Sequence, residues 1–219
     1  MTGIVPSLFW LWFWLREDRV HPEPRSLIAR CFITGMCVVI VAALGERYVA
    51  SILSNQTSLY IIWAVLEETL KFIALLFVAL PSKANDEPID PMVYAITIAL
   101  GFAALENALF ILGPLSDGAI STGLITGSMR FMGATLVHVI CSALTGFAIG
   151  LAYYHGKYTK SVMALLGLGI AIAIHAIFNI SIVNTSSSGT LQVFAWVWGA
   201  VVILIVLFEE VKAVRLHSV

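Results

Sequence analysis

The sequence predicts an all-α, polytopic membrane helix bundle with about seven transmembrane helices. Three observations carry this reading. Of the 219 residues, 60% are apolar and 11% are charged, against about 45–50% and roughly 25% in soluble domains. The mean hydropathy of +0.96 leaves too little polar surface to coat a soluble globule. The apolar residues also gather into seven runs of about the 20-residue length that crosses a bilayer.

Taken in order, the runs are 1–15, 28–45, 58–80, 91–113, 130–153, 161–183 and 190–208. The first is short, and its Trp10, Trp12 and Trp14 are expected partly at a membrane interface, where amphipathic rings collect. A cleaved signal peptide fits it poorly, since no positive region precedes the run and no small-residue cleavage site follows it. The polar stretch 16–27 joins it to the second run. Residues 114–129 (PLSDGAISTGLITGSM) are polar and glycine-rich, and read either as an outer loop or as a re-entrant segment buried in protein. Pro22, Pro24, Pro88 and Pro91 mark ordinary inter-helix loops. The whole chain 1–219 reads as a single integral membrane domain with its core over 28–208. Cys31, Cys37 and Cys141 lie in apolar stretches and read as small buried hydrophobes. A net charge of −1 gives no hint of nucleic acid.

Alternating spans sort the basic residues onto two sides. Arg16, Arg19, Arg25, Arg30, Lys83, Lys157, Lys160, Lys212 and Arg215 fall on one side, and Arg47 and Arg130 on the other; Lys71 is inside a span. By the positive-inside rule the first side is cytoplasmic. This places the N-terminus outside and the C-terminus in the cytoplasm of a multi-pass protein of the cell membrane.

Six ionisable groups lie well inside the spans: Glu67, Glu68, Lys71, Glu106, His138 and His175. Charge in a bilayer core costs several kcal/mol per group, so such residues are functional candidates. At 1.5 Å per residue all of the acids and imidazoles lie roughly 10–15 Å below the outer surface. Four helices of alternating direction thus bring them to one depth, which implies a single wet pocket open toward the outer leaflet. In WAVLEETLKF, Glu67 and Lys71 share a helix face at i and i+4, and Glu68 is within reach of Lys71 at i+3. One Glu–Lys pair would serve to glue helices; a second adjacent carboxylate adds cost without structural return. Two carboxylates near one lysine are also driven to different protonation states, which suits one of them to act as a base toward water. Glu106 is followed by Asn107, and His175 and Asn179 share a face in HAIFN, where the amide can orient the ring or a bound water. His21, His155 and His217 fall in loops or the tail.

Other protease chemistries lack their residues. His138 is followed by Val-Ile-Cys-Ser instead of completing H-E-x-x-H. Ser142 shares a face with His138 and Ser128 follows Gly127, but neither has a third group. Every Asp reads as a loop residue, including Asp86, Asp90 and Asp117.

The ordered set E-E-x-x-K (Glu67, Glu68, Lys71), F-x-x-x-E-N (Phe102, Glu106, Asn107), His138 and H-x-x-x-N (His175, Asn179) resembles the PrsW family of bacterial intramembrane proteases. More distantly it is similar to the CAAX-prenyl-endopeptidase and bacteriocin-processing superfamily. The resemblance covers about residues 5–210, including the P-E-P of Pro22, Glu23 and Pro24. The broader superfamily has E-E-x-x-x-R, then F-x-x-x-H. Here Lys71 stands at a shorter spacing and Glu106 replaces the histidine, and both departures match the PrsW branch. The resemblance implies an intramembrane endopeptidase acting on membrane-spanning proteins such as anti-sigma factors, with Asn107 and Lys71 in support. Its substrate sequence and oligomeric state are left open.

Two mechanisms are expected from these residues. In one, Glu106, His138 and His175 hold zinc or a similar divalent metal, with Glu68 as base. In the other, Glu67 or Glu68 activates water directly while the histidines and Asn179 hold the oxyanion. The rival class is a proton-coupled transporter or channel using the same groups as a relay. Such proteins often carry inverted repeats, and none is visible here. A catalytically silent scaffold is less consistent with retention of every polar group.

Overall fold

The computed structural model describes residues 4–17, 22–185 and 187–214. Arg19, His21, Arg215 and His217 lie outside them. The described residues form eight helices and no strand: α1 (Ile4–Glu17), α2 (Arg25–Ile52), α3 (Gln56–Val78), α4 (Asp90–Ser116), α5 (Ile120–Met132), α6 (Ala134–Leu151), α7 (Lys157–Asn184) and α8 (Ser187–Lys212).

Among the described residues, five segments are long and apolar enough to cross a membrane: Arg25–Ile52, Asp90–Ser116, Ile120–Leu151, Lys157–Asn184 and Gly189–Lys212. The difference from the seven expected runs lies in α1 and α3. At 14 residues, α1 is short. The 23 residues of α3 are long enough, but it carries Glu67, Glu68 and Lys71. Those charges are tolerable because they are buried against neighbouring helices, where polar partners replace water.

The bundle is built around α4. Every residue from Asp90 to Ala104 is buried, as expected of a helix that is apolar on all sides. It contacts α1, α2, α3, α5 and α6. Small residues permit the close crossings. A Cβ on Gly35 would lie 2.1 Å from the Ile98 carbonyl oxygen, and one on Gly101 would lie 2.0 Å from that of Phe32. Thus α2 and α4 touch backbone to backbone. On the opposite side a Cβ on Gly146 of α6 would fall 2.5 Å from Met92 Cα. Without a hydrophobic drive between helices in lipid, such close packing supplies the association.

Two sequence expectations are corrected and one is sharpened. Trp10 and Trp14 pack into the bundle: both are buried, with Trp10 against Phe131 and Trp198 and Trp14 against Phe208. Of these three only Trp12 is exposed, at 52%, because residues two apart on a helix point to nearly opposite faces whereas those four apart share one. Residues 114–129 are mainly helical: α4 runs on to Ser116, and α5 begins at Ile120 after a turn containing Gly118 at φ +74°. Asp90 is not a loop residue but opens α4, and its carboxylate accepts the Asp86 and Glu87 amides at 2.7 and 2.6 Å.

Candidate active site

Helices α3, α4, α6 and α7 each bring polar side chains to one place. Glu67, Glu68 and Lys71 extend from α3, His138 from α6 and His175 from α7, and all five are buried. Lys71 Nζ donates to Glu68 Oε1 at 2.8 Å and lies 3.6 Å from Glu67 Oε2. It also reaches His138 Nδ1 at 2.8 Å. An ammonium can only donate, so Nδ1 accepts and His138 carries its proton on Nε2. That Nε2–H donates to Glu106 Oε2 at 2.9 Å. His175 Nδ1 donates to Glu68 Oε1 at 2.7 Å, which turns Nε2 toward Glu67 Oε2 at 4.0 Å. The two imidazoles meet edge to face, with centroids 5.1 Å apart. Phe102 lies beneath them, its ring 5.2 Å from that of His138 and 4.2 Å from Lys71 Nζ.

Glu67 differs from its neighbour. Glu68 is occupied by Lys71 and His175, whereas Glu67 Oε2 is buried with no hydrogen-bond partner. It stands 3.8 Å from His138 Nδ1. An orphaned carboxylate oxygen is costly in a low-dielectric interior, so its presence marks a place for something other than protein. Glu67 also lines a cavity of about 540 Å³, together with Glu106, Arg130, His138, His175 and Asn179. Glu68 does not line it.

Glu106 sits at the edge of the cluster, paired with Arg130 of α5 as well as with His138. Asn107 bridges two helices: its Oδ1 accepts from Arg130 Nε at 2.6 Å and its Nδ2 donates to Thr135 Oγ1 at 2.9 Å. Arg130 further stacks on Phe110 at 3.9 Å. Neither serine candidate has a base: Ser142 Oγ is buried without a partner, and Ser128 Oγ bonds the Leu124 carbonyl.

Two residues of this site escaped the sequence reading. Arg130 counted there as an outer-loop charge. Glu46 fell beyond the expected end of its run at 45, yet α2 continues to Ile52, and Glu46 lines the same cavity wall as Glu67. The signal for Glu46 was present. The buried face Gly35, Val39, Ala42 continues at helical spacing onto residue 46.

Glu67, Glu68, His138 and His175 each offer one donor atom, all within 4.8 Å of one another, so the group is able to hold a metal ion. Two imidazoles with carboxylates are the donor chemistry of catalytic zinc sites. Residues 23–209 match the model of the PrsW family of intramembrane metalloproteases. The chain belongs to the PrsW family. It is 29% identical over 190 residues to a protein named Protease PrsW from Oceanobacillus iheyensis, covering 85% of this chain and 83% of that one. A Protease PrsW from Geobacillus kaustophilus is 28% identical over 159 residues, covering 71% and 67%. That of Bacillus subtilis is 24% identical over 213 residues, covering 90% of each. No solved structure matches the chain significantly. A PrsW-family protein is an intramembrane protease, a multi-pass enzyme acting on membrane proteins within the bilayer. This decides between the enzyme and the proton relay in favour of the enzyme.

Proposed function

We propose that this protease hydrolyses a peptide bond of a membrane-spanning substrate, anti-sigma-factor-like in topology, with Glu67 as the carboxylate that activates water. The observation that carries the assignment is Glu67, which lines the cavity and whose buried Oε2 makes no hydrogen bond within the protein. Glu68, His138 and His175 would hold a zinc-like ion, and bound there it would polarise the scissile carbonyl and acidify water. The remaining contributions belong to the chain. Glu67 Oε2 takes the proton of the attacking water and returns it to the leaving amine. Glu106 fixes His138 in one tautomer through Nε2, in the manner of carboxylates that orient ligating histidines. This supports an orienting role for Glu106, in place of the ligand role expected from sequence. Asn179 lies on the cavity wall one turn from His175, where its amide is available to a substrate carbonyl. A substrate helix must unwind to be cut, and its freed backbone groups then find acceptors and donors in Glu46, Glu106 and Arg130 instead of lipid.

The charge asymmetry of the loops supports a cytoplasmic C-terminus, with the cavity opening toward the outer leaflet of a bacterial cytoplasmic membrane. Cysteines placed at 53–55 should then react with an impermeant reagent from outside, and cysteines at 154–156 should not; the reverse pattern discards the orientation. For the chemistry, the purified full chain should cut a single-span peptide in liposomes. A chelator should stop it, and zinc should restore it. Full activity in chelator would remove the ion and leave Glu67 acting on water alone.

A further inference from the structure

A second cavity adjoins the first. It lies between α2 and α4, just beyond the close crossing at Gly35 and Gly101, and has a volume of about 240 Å³. Val39, Ala42, Ala43, Phe102 and Leu109 form its apolar walls. Its other lining residues, Glu46, Glu106 and Phe110, also line the main cavity, so the two spaces share a wall. The floor is Phe102, whose ring also contacts His138 and Lys71. One aromatic ring therefore separates this crevice from the catalytic cluster. At the mouth Leu109 and Phe110 are about half exposed, on a surface that is apolar and so faces lipid.

The walls say what would fit. Two consecutive alanines keep the gap open, because any larger residue at 42 or 43 would project into it. The interior accepts an apolar group, and the junction with the main cavity carries two carboxylates. A substrate segment unwound in the bilayer has this pattern: apolar side chains, and backbone N–H groups that require acceptors. Resting on the peptide-hydrolysis reading above, we infer that the crevice between α2 and α4 is the subsite for one large apolar side chain beside the scissile bond, and that Val39, Ala42 and Ala43 set the size it accepts. Selection of the cut bond then depends on side-chain volume at one position of the substrate span.

The test uses the full chain in liposomes with a set of synthetic single-span peptides. The peptides differ only in carrying Ala, Val, Leu or Phe at each central position, and products are read by mass spectrometry. The unaltered chain should favour Leu or Phe at one fixed position next to the cut. Filling the crevice with Ala43→Leu should lower kcat/KM for those peptides about tenfold or more, and change the Ala peptides by about twofold at most, since a methylene or two in an apolar pocket discriminates on that scale. Val39→Ala, which enlarges the crevice, should raise the Phe-to-Leu preference and keeps the question decidable if Ala43→Leu does not fold. An unchanged cleavage profile in folded variants, as when a lipid acyl chain fills the gap, overturns the subsite and leaves the protease standing. No cleavage by the unaltered chain overturns both.

Discussion

Two stretches of α4, its start at Asp90 and the part around Glu106 about 24 Å along the helix, each carry a buried polar network, and the two are built differently. At the N-terminal end the Asp90 carboxylate accepts two backbone amides. Tyr94 donates to Glu23 and lies 3.1 Å from the Ala84 carbonyl. These residues line none of the cavities described above, and none of their buried oxygens lacks a partner. Farther along, Glu106 belongs to a group that surrounds a cavity and includes the orphaned Glu67 Oε2. The first network ties the Pro22–Pro24 segment to the start of α4. The second holds more donor capacity than protein alone uses. A closed polar network buried in a membrane protein is structural; one left open toward a cavity is where a ligand belongs.

Substitutions can break this contrast, beginning with the largest effect. Glu67→Gln should lower the cleavage rate by about 10²–10⁴-fold. Its thermal unfolding should stay near that of the unaltered chain, since a neutral amide is cheaper to bury than a carboxylate. It should also retain the metal measured by elemental analysis; loss of metal would make Glu67 a ligand instead of the base. Next, Lys71→Met should destabilise the protein by about 3–5 kcal/mol, because Glu68 then lies buried without its counter-charge. An unchanged unfolding midpoint would mean that water reaches the cluster freely.

A smaller effect separates ligands from their supports. His175→Ala should abolish zinc binding, whereas Glu106→Gln should weaken it by about 10–100-fold, as for other residues that orient a ligand. Equal losses in a zinc titration would return Glu106 to the ligand set. The smallest change belongs to the closed network. Tyr94→Phe should cost about 1–3 kcal/mol of stability by leaving Glu23 short of a donor, with kcat per folded molecule unaltered. A selective loss of kcat in that variant would show that the two stretches of α4 are coupled.

Much of the candidate site was legible because the membrane makes charge conspicuous. Glu67, Glu68, Lys71, Glu106, His138 and His175 stand out against a chain that is 60% apolar, since each is costly in lipid and persists only where something compensates it. The order of those residues carried the family as well. Arg130 was not legible, because it lies near a helix end, where a charge is ordinary, and Glu46, though in register with Gly35, Val39 and Ala42, fell beyond the apolar run that marked its span. Whether such a residue turns outward or into a cavity depends on how α2 and α5 rotate against α4.

Sequence by itself determined that the chain is a membrane bundle, which helices carry its ionisable groups, and which protease family it belongs to. Periodicity and hydropathy are properties of each segment alone. Only the tertiary structure decided that α5 is a helix delivering Arg130 to Glu106, that Trp10 and Trp14 are core, and that Glu68 is hydrogen-bonded by Lys71 and His175 while Glu67 Oε2 has no such bond. These outcomes rest on contacts between segments: backbone approach at Gly35 and Gly101, and the direction in which each carboxylate finds a donor. Two adjacent glutamates are equivalent in a sequence; about 100° of helix rotation between them gives one a lysine and a histidine and the other a cavity.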